Sequence, residues 1–310
     1  MTRFCPEGWL INEIENRRAY SSPKKLAEAC ADSTVLEGIA EVCDAEHNLW
    51  VNLGCMKGVI PREEGAIGIS GGETRDIALL SRVGKPVCFT VTEIKEDRFG
   101  KLYALLSRRN AQEKCINSYI KKLRAGDVVS ARVTHLESFG AFCDIGCGVV
   151  ALLPINSISI SRISHPRDRF FAGEDIKAVV KSISDDGKIT LTHKELLGTW
   201  EENAAAYSQG ETVSGIVRSV ESYGVFVELT PNLAGLAEPK SNIFIGQTAS
   251  VYVKSIIPDK MKVKLIIIDS FDTSYTQNKK YFFDGDHMDF WQYSPADSYK
   301  TIITDFLEKN

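Results

Sequence analysis

Hydrophobic and polar residues alternate over two stretches of this 310-residue chain that are close copies of one another. Gly126 to Ile145 reads GDVVSARVTHLESFGAFCDI, and Gly210 to Leu229 reads GETVSGIVRSVESYGVFVEL. In the second half of each copy the alternation assigns Ala141, Cys143 and Ile145, and likewise Val225, Val227 and Leu229, to one face of a β-strand. Phe142 beside Asp144, and Phe226 beside Glu228, take the opposite, polar face. A large ring beside a carboxylate on a wet face leaves apolar area in water, so these rings read as contact groups rather than packing.

Both copies continue through the same parts. A first strand (Val128 to Val133; Val213 to Val217) precedes the one just described, and a Gly-rich turn and a short apolar strand ending in proline follow it (Ala151 to Pro154; Gly235 to Pro239). After an irregular stretch come two more strands, Asp175 to Ile183 and Lys188 to Thr192, then Ala249 to Ile257 and Lys262 to Ile268. Five short strands in about 70 residues predict a small closed barrel, because a flat sheet of that size would expose its edges. A third, diverged copy lies upstream. Leu49, Val51 and Leu53 form its inward face, the run LGCMKGVIP ends at Pro61, and GKPVCFTVTEI from Gly84 matches GEDIKAVVKSI from Gly173. There His47 and Trp50 stand where the later copies have Phe139 and Phe142.

Between the copies the pattern turns helical. Ile116, Tyr119, Ile120 and Leu123 recur at helical spacing, as do Leu196, Leu197, Trp200, Ala204 and Tyr207. Ser22 before Pro23 reads as the cap of a short helix. The predicted fold is mainly β, with tandem five-stranded barrels joined by short helices. Its order is an N-terminal helical extension (1–33), a diverged barrel (34–109), a helical linker (110–125), a central barrel (126–195), a second helical linker (196–209), a third barrel (210–270) and an aromatic-rich C-terminal extension (271–310). That extension holds ten of the 28 aromatics, Tyr275 among them, and Ser294 with Pro295 predicts a last helix through Leu307.

Net charge of −4 and a pI near 5.8 argue against a protein that grips duplex DNA by bulk electrostatics. The charge is uneven, with eleven Lys and Arg against nine Asp and Glu from Lys121 to Gly198. No apolar run approaches a membrane span, and the N-terminal stretch does not read as a secretory signal, so a cytoplasmic protein without a membrane partner is expected. Eight cysteines without a CxxC pair read as reduced core thiols. Cys143, Cys147 and His135 do not make a zinc site, because Cys143 falls on the inward face. DDG at Asp185 to Gly187 is a turn. With no phosphate loop, nucleophile elbow or two-metal carboxylate set, no catalytic residue, cofactor, metal or small-molecule substrate is expected.

The candidate binding chemistry is aromatic and basic. Phe139 and Phe142, three apart, share a surface if the chain bends at Gly140, and Tyr223, Gly224 and Phe226 repeat the arrangement. Two rings displayed together suit unpaired bases. Lys177 and Lys181 point outward on the fourth strand of the central copy, Lys188 follows, and Arg162, Arg167 and Arg169 occupy the sequence SRISHPRDRFF, which reads as a loop. In the last copy Tyr252 and Lys254 take the outer face, with Lys260, Lys262 and Lys264 alternating close by.

GDVVSARV, the SFGAF run, the ALLP segment and the closing DDGKITLTHKE resemble the S1 RNA-binding domain, a family named after the largest protein of the small ribosomal subunit. The resemblance is strong over Gly126 to Glu195, good over Gly210 to Asp269 and weaker over Thr34 to Arg109. It implies OB-fold barrels that bind single-stranded RNA across the second and third strands, in the manner of a short relative of the ribosomal protein. By position the stacking aromatics fall on Phe139 and Phe142, and on Tyr223 and Phe226. A histidine common at the end of the third strand is replaced by Pro154 and Pro239, and the basic residue after the fourth strand is matched by Lys188. The function this implies is single-stranded RNA (mRNA) binding in translation or mRNA handling, with the small ribosomal subunit as a partner. The alternative is a protein-interaction scaffold or accessory subunit, docked through the aromatic extension to the ribosome or an RNA-processing enzyme.

Overall fold

Strand alternation closes into barrels three times over. In the computed structural model, which describes residues 4–273 and 279–307, the first barrel is built from β1 (Val35–Cys43), β2 (Leu49–Asn52), β3 (Lys57–Ile60), β4 (Pro86–Glu96) and β5 (Leu102–Ser107). The central one uses β6 (Val128–Glu137), β7 (Gly140–Asp144), β8 (Val150–Pro154), β9 (Asp175–Ile183) and β10 (Ile189–Thr192), and the third β11 (Thr212–Glu221), β12 (Gly224–Thr230), β13 (Leu233–Ala237), β14 (Thr248–Ile257) and β15 (Lys262–Phe271). All three are closed with one connectivity, in which the third strand pairs in parallel with the fifth and the fourth returns to the first. Helices α1 (Ile14–Ala19) and α2 (Pro23–Ala31) precede the first barrel, α3 (Ile77–Leu80) lies between β3 and β4, and α4 (Arg108–Ser118) and α5 (Trp200–Ala204) join the barrels. The Ser22 hydroxyl caps α2 by accepting the N–H of Lys25. Among the described residues no helix is long and apolar enough to cross a membrane.

The inward residues are those that alternation selects. Ala141, Cys143 and Ile145 are buried, as are Val225, Val227 and Leu229, and Ile176, Ala178 and Val180. Gly140 and Gly224 are needed for another reason than the bend expected of them. A Cβ on Gly140 would lie 2.6 Å from the carbonyl oxygen of Leu153, and one on Gly224 2.6 Å from that of Ala237, so glycine lets the neighbouring strand close in.

By contacts the chain divides into two compact units, one holding residues up to Leu123 with 130–132 and 143–150, the other 124–129, 133–142 and 151–310. In the first unit Glu7 lies inside. Its carboxylate accepts from Arg108 at 2.7 and 3.0 Å, from Arg82 at 3.0 Å and from the Cys88 N–H at 3.1 Å. Asp144 corrects an expectation: rather than facing water it is 2% exposed. Its oxygens accept N–H groups of Glu7, Gly146 and Gly148 at 2.7, 2.8 and 3.0 Å. Burial, then the charge of Glu7, raises its pKa to about 7.

In the second unit the C-terminal extension gathers no aromatic cluster of its own. Trp291, Tyr293 and Phe306 are buried in the core of the third barrel with Trp200 and Met288, the Trp291 and Tyr293 rings 5.8 Å apart. The last helix does not form. Phe290–Gln292 pairs instead with Ile303–Asp305 as a two-stranded sheet, β16 and β17, while Tyr275 lies outside the described residues. The segment before β16 runs along the central barrel, where Val128 donates to the carbonyl of Asp286 and Met288 to that of Gly126.

His193 fastens this arrangement. Its buried ring meets Phe170 and Tyr281 edge-on at 5.2 and 5.6 Å. Nδ1 lies 3.1 Å from the Ile158 carbonyl and so carries the proton, leaving Nε2 to accept from the Tyr281 hydroxyl at 3.2 Å. Burial is the main cause that depresses its pKa to about 3, with Lys279 and Arg169 adding to it. Because the folded pKa lies below the unfolded value, stability is intact above about pH 6.5 and is lost as pH falls toward about 3, by at most about 1.4 kcal/mol per pH unit. Urea titrations across that range should show a shallower pH slope for His193→Phe than for the native chain; equal slopes would remove His193 from the account.

Candidate nucleic-acid interface

Each ring pair starts from a two-residue turn. β6 ends at Glu137 and β7 begins at Gly140, so Phe139 sits in the turn itself and turns its ring onto the face that Phe142 reaches from the strand. Phe139 is 53% exposed and Phe142 half-buried, with centroids 5.9 Å apart and planes at 88°. Tyr223 and Phe226 reproduce the pair at 6.2 Å and 86°, with Tyr223 64% exposed. Shared orientation therefore comes from the turn; in the third barrel Glu221 pairs with Gly224 and Val220 with Val225, with no bulge at the glycine.

A bulge does lie on the preceding strand. In the third barrel the register skips Arg218, so that Val217 faces Val227 and Ser219 faces Phe226. The residue equivalent to Ser219 in the central repeat is His135. Its ring is exposed and near-parallel to Phe142, with centroids 6.4 Å apart and planes at 23°, and its Nε2 lies 2.6 Å from Glu137. The central wall thus carries three rings in a row, His135, Phe142 and Phe139. Strict alternation hides the first by placing it on the inward face with Val133; only the repeat alignment with a bulged strand could have exposed it.

Along the third barrel the cross-strand row reads Ser219, Phe226, Leu236, Lys264 and Ser255. The corresponding row of the first barrel is Val42, Trp50, Val59, Leu105 and Glu93. It carries no cation. Trp50 donates its indole N–H to Asp44 at 2.9 Å, and His47 takes a left-handed turn conformation at φ 64°, so the ring pairing of the other barrels is not repeated there.

The expected cations divide into three groups. Arg162 and Arg167 are exposed, and Lys181 is exposed at a bulge of β9, 3.4 Å from the Ser157 hydroxyl. Lys177, Lys188 and Lys254 have acidic neighbours in Asp284 at 3.7 Å, Asp186 at 2.5 Å and Glu238 at 3.3 Å. Arg169 corrects the expectation of a phosphate contact, because its side chain is 4% exposed and paired with the fully buried Glu228. Glu228, expected in water, also accepts from Arg218 at 3.0 and 3.1 Å. Two arginines around one carboxylate hold the loop before β9 against the third barrel, together with hydrogen bonds from Ile160 to Asn232 and from Ser161 to Pro231.

Paired rings on the outer wall of five-stranded barrels with this connectivity define a tandem OB-fold protein of the nucleic-acid-binding kind. The family model described as the S1 RNA binding domain matches residues 122–194. The chain is an S1 RNA-binding domain protein related to the bacterial bS1 proteins. It is 30% identical over 223 residues to the small ribosomal subunit protein bS1 of Streptococcus pneumoniae, covering 66% of this chain and 54% of that one. With bS1 of Staphylococcus epidermidis it shares 31% identity over 274 residues, 82% of this chain and 66% of the relative. The chain spans about half to two thirds of the length of these relatives. Among solved structures, a multidomain protein with nucleic acid binding domains from Streptococcus pneumoniae covers 78% of this chain and 75% of its own at 16% identity, with a TM-score of 0.25.

Removing the shared carboxylate separates structure from binding. Glu228→Ala takes the shared carboxylate from two covered guanidinium groups, Arg218 keeping only Asp168 at 3.7 Å, and should lower the unfolding free energy by about 3–5 kcal/mol. Arg162→Gln and Arg167→Gln, at exposed positions, should stay within about 0.5 kcal/mol of the native chain in the same denaturant titration.

Proposed function

We propose that this protein binds single-stranded RNA on the outer walls of its central and third barrels, in translation or mRNA handling at the small ribosomal subunit. The observation that carries this reading is the exposed ring pair built twice at the same turn, once inside the segment that matches the S1 RNA binding domain. Bases stack on Phe142 and Phe139 in one barrel and on Phe226 and Tyr223 in the other. Lys181, Lys188, Arg162 and Arg167 meet phosphates, Lys188 by exchanging Asp186 for the ligand, while Lys177 and Lys254 stand behind their carboxylate partners as weaker contributors. Linking the barrels in one chain raises the effective concentration of the second contact once the first has formed.

The ribosomal part of the proposal draws on the names of the relatives, which are small ribosomal subunit proteins. No covalent step belongs to it, and the cytoplasm is the expected compartment. Trp50 and His47 are the weakest candidates, since Trp50 is tied to Asp44 and its row ends on Glu93. The scaffold alternative rests on the acidic net charge and on the rings of the extension; of these, Trp291, Tyr293 and Phe306 are taken up by the chain's own third barrel, while Phe290 and Tyr299 stay exposed.

Titrating a fluorescent single-stranded RNA of roughly 20 nucleotides tests the reading. Loss of one stack in Phe142→Ala should weaken binding by about 1–3 kcal/mol, and Phe139→Ala with Phe142→Ala by more. With about four phosphates neutralised, log affinity should fall against log salt with a slope near −3. An unchanged affinity in the double variant would end the assignment of this wall to RNA.

A further inference from the structure

We propose that the RNA wall of each of the two C-terminal barrels extends beyond its ring pair, along the row that passes through the central phenylalanine: to the adjacent His135 in the central barrel and, past Leu236, to Lys264 in the third. This rests on the RNA reading above. The row is the natural path of a ligand, because residues opposite one another on adjacent strands project from the same face about 5 Å apart. A strand of nucleic acid that stacks on Phe142 or Phe226 is therefore delivered to the neighbours of those residues on the row.

In the central barrel the neighbour on β6 is an imidazole, nearly parallel to the Phe142 ring and open to water. Two near-parallel faces at 6.4 Å give successive bases one direction in which to stack. Glu137 at 2.6 Å orients the imidazole and repels phosphate, so the contact His135 offers is a ring face rather than a charge. In the third barrel that position is Ser219, which has no ring. Two strands to the other side of Phe226, beyond Leu236, the row reaches Lys264, exposed on β15. The equivalent strand position in the central barrel is Thr190, paired with Leu152 and Ser182, and carries no charge. Lys254 sits in the bulge between Val253 and Ser255 with Glu238 as its partner, off the row. The two walls thus differ in kind: the central one adds a third stacking surface, and the last adds a cation.

The test uses the full chain, a labelled single-stranded RNA of roughly 20 nucleotides and a salt series from about 50 to 300 mM. His135→Ala should weaken binding about five- to a hundredfold with an unchanged salt slope, and His135→Phe should restore it. Lys264→Gln should weaken binding and reduce the magnitude of the slope by about 0.7. Phe142→Ala and Phe226→Ala serve as references for the two walls, and thermal unfolding of each variant checks the fold. If a reference phenylalanine matters and its row neighbour does not, or if His135→Ala changes the slope, the proposal is overturned while the RNA reading stands. If neither phenylalanine matters, the reading beneath it fails as well.

Discussion

A five-stranded barrel closes only by turning every second residue of each strand into an interior that has room for small and branched apolar side chains. Everything polar, charged or flat must then find a place on the wall or at the ends. In this chain the constraint is met three times by one connectivity, and the inward residues of the strand that carries the outer ring (Ala141, Cys143 and Ile145 in one repeat, Val225, Val227 and Leu229 in another) are small or aliphatic. Phe142 and Phe226 take the alternate positions and stand outward on their strands. The ring platforms follow from the closure, and the function proposed for them depends on it.

Outward does not mean wet along the whole wall. Near one end of β7 and β12 the outer positions belong to Asp144 and Glu228, and both carboxylates are covered. Their partners differ: three backbone N–H groups hold Asp144, whereas two arginines hold Glu228. Burial and the like charge of Glu7 raise the pKa of Asp144 against its N–H donors and Arg108. Flanking segments thereby seal one end of the wall and leave the turn end open, where Phe139 and Tyr223 sit. The exposed part of the interface is what remains after the chain has used the rest for its own packing.

This division explains what could be read from the sequence and what could not. Alternation was enough for the inward faces, the diverged repeat and the outward rings, because those depend on neighbours one or two residues away. The cap at Ser22 was legible for the same reason. The fates of Arg169, Asp144 and Glu228 depended on segments far along the chain, and local pattern has no access to those. A bulge hid His135, since one extra residue resets the period that the reading relies on. The last helix failed because Phe290 to Gln292 found a strand partner in Ile303 to Asp305, a tertiary choice overriding a local start signal.

The three rows also show how one scaffold is graded. In the first barrel Trp50 is tied to Asp44 and the row ends on Glu93, which pairs with Lys95 at 3.2 Å, so the row itself supplies no cation. The central barrel offers flat surface, with its nearest cations at the strand tip and in the flanking loop. In the third, Lys264 stands directly on the row. A repeated fold holds the backbone positions constant while the uncovered wall residues can vary, because a substitution at an exposed outward position leaves the interior packing untouched. Differences in affinity among the barrels can therefore arise from single wall positions, without any change in the core that defines them.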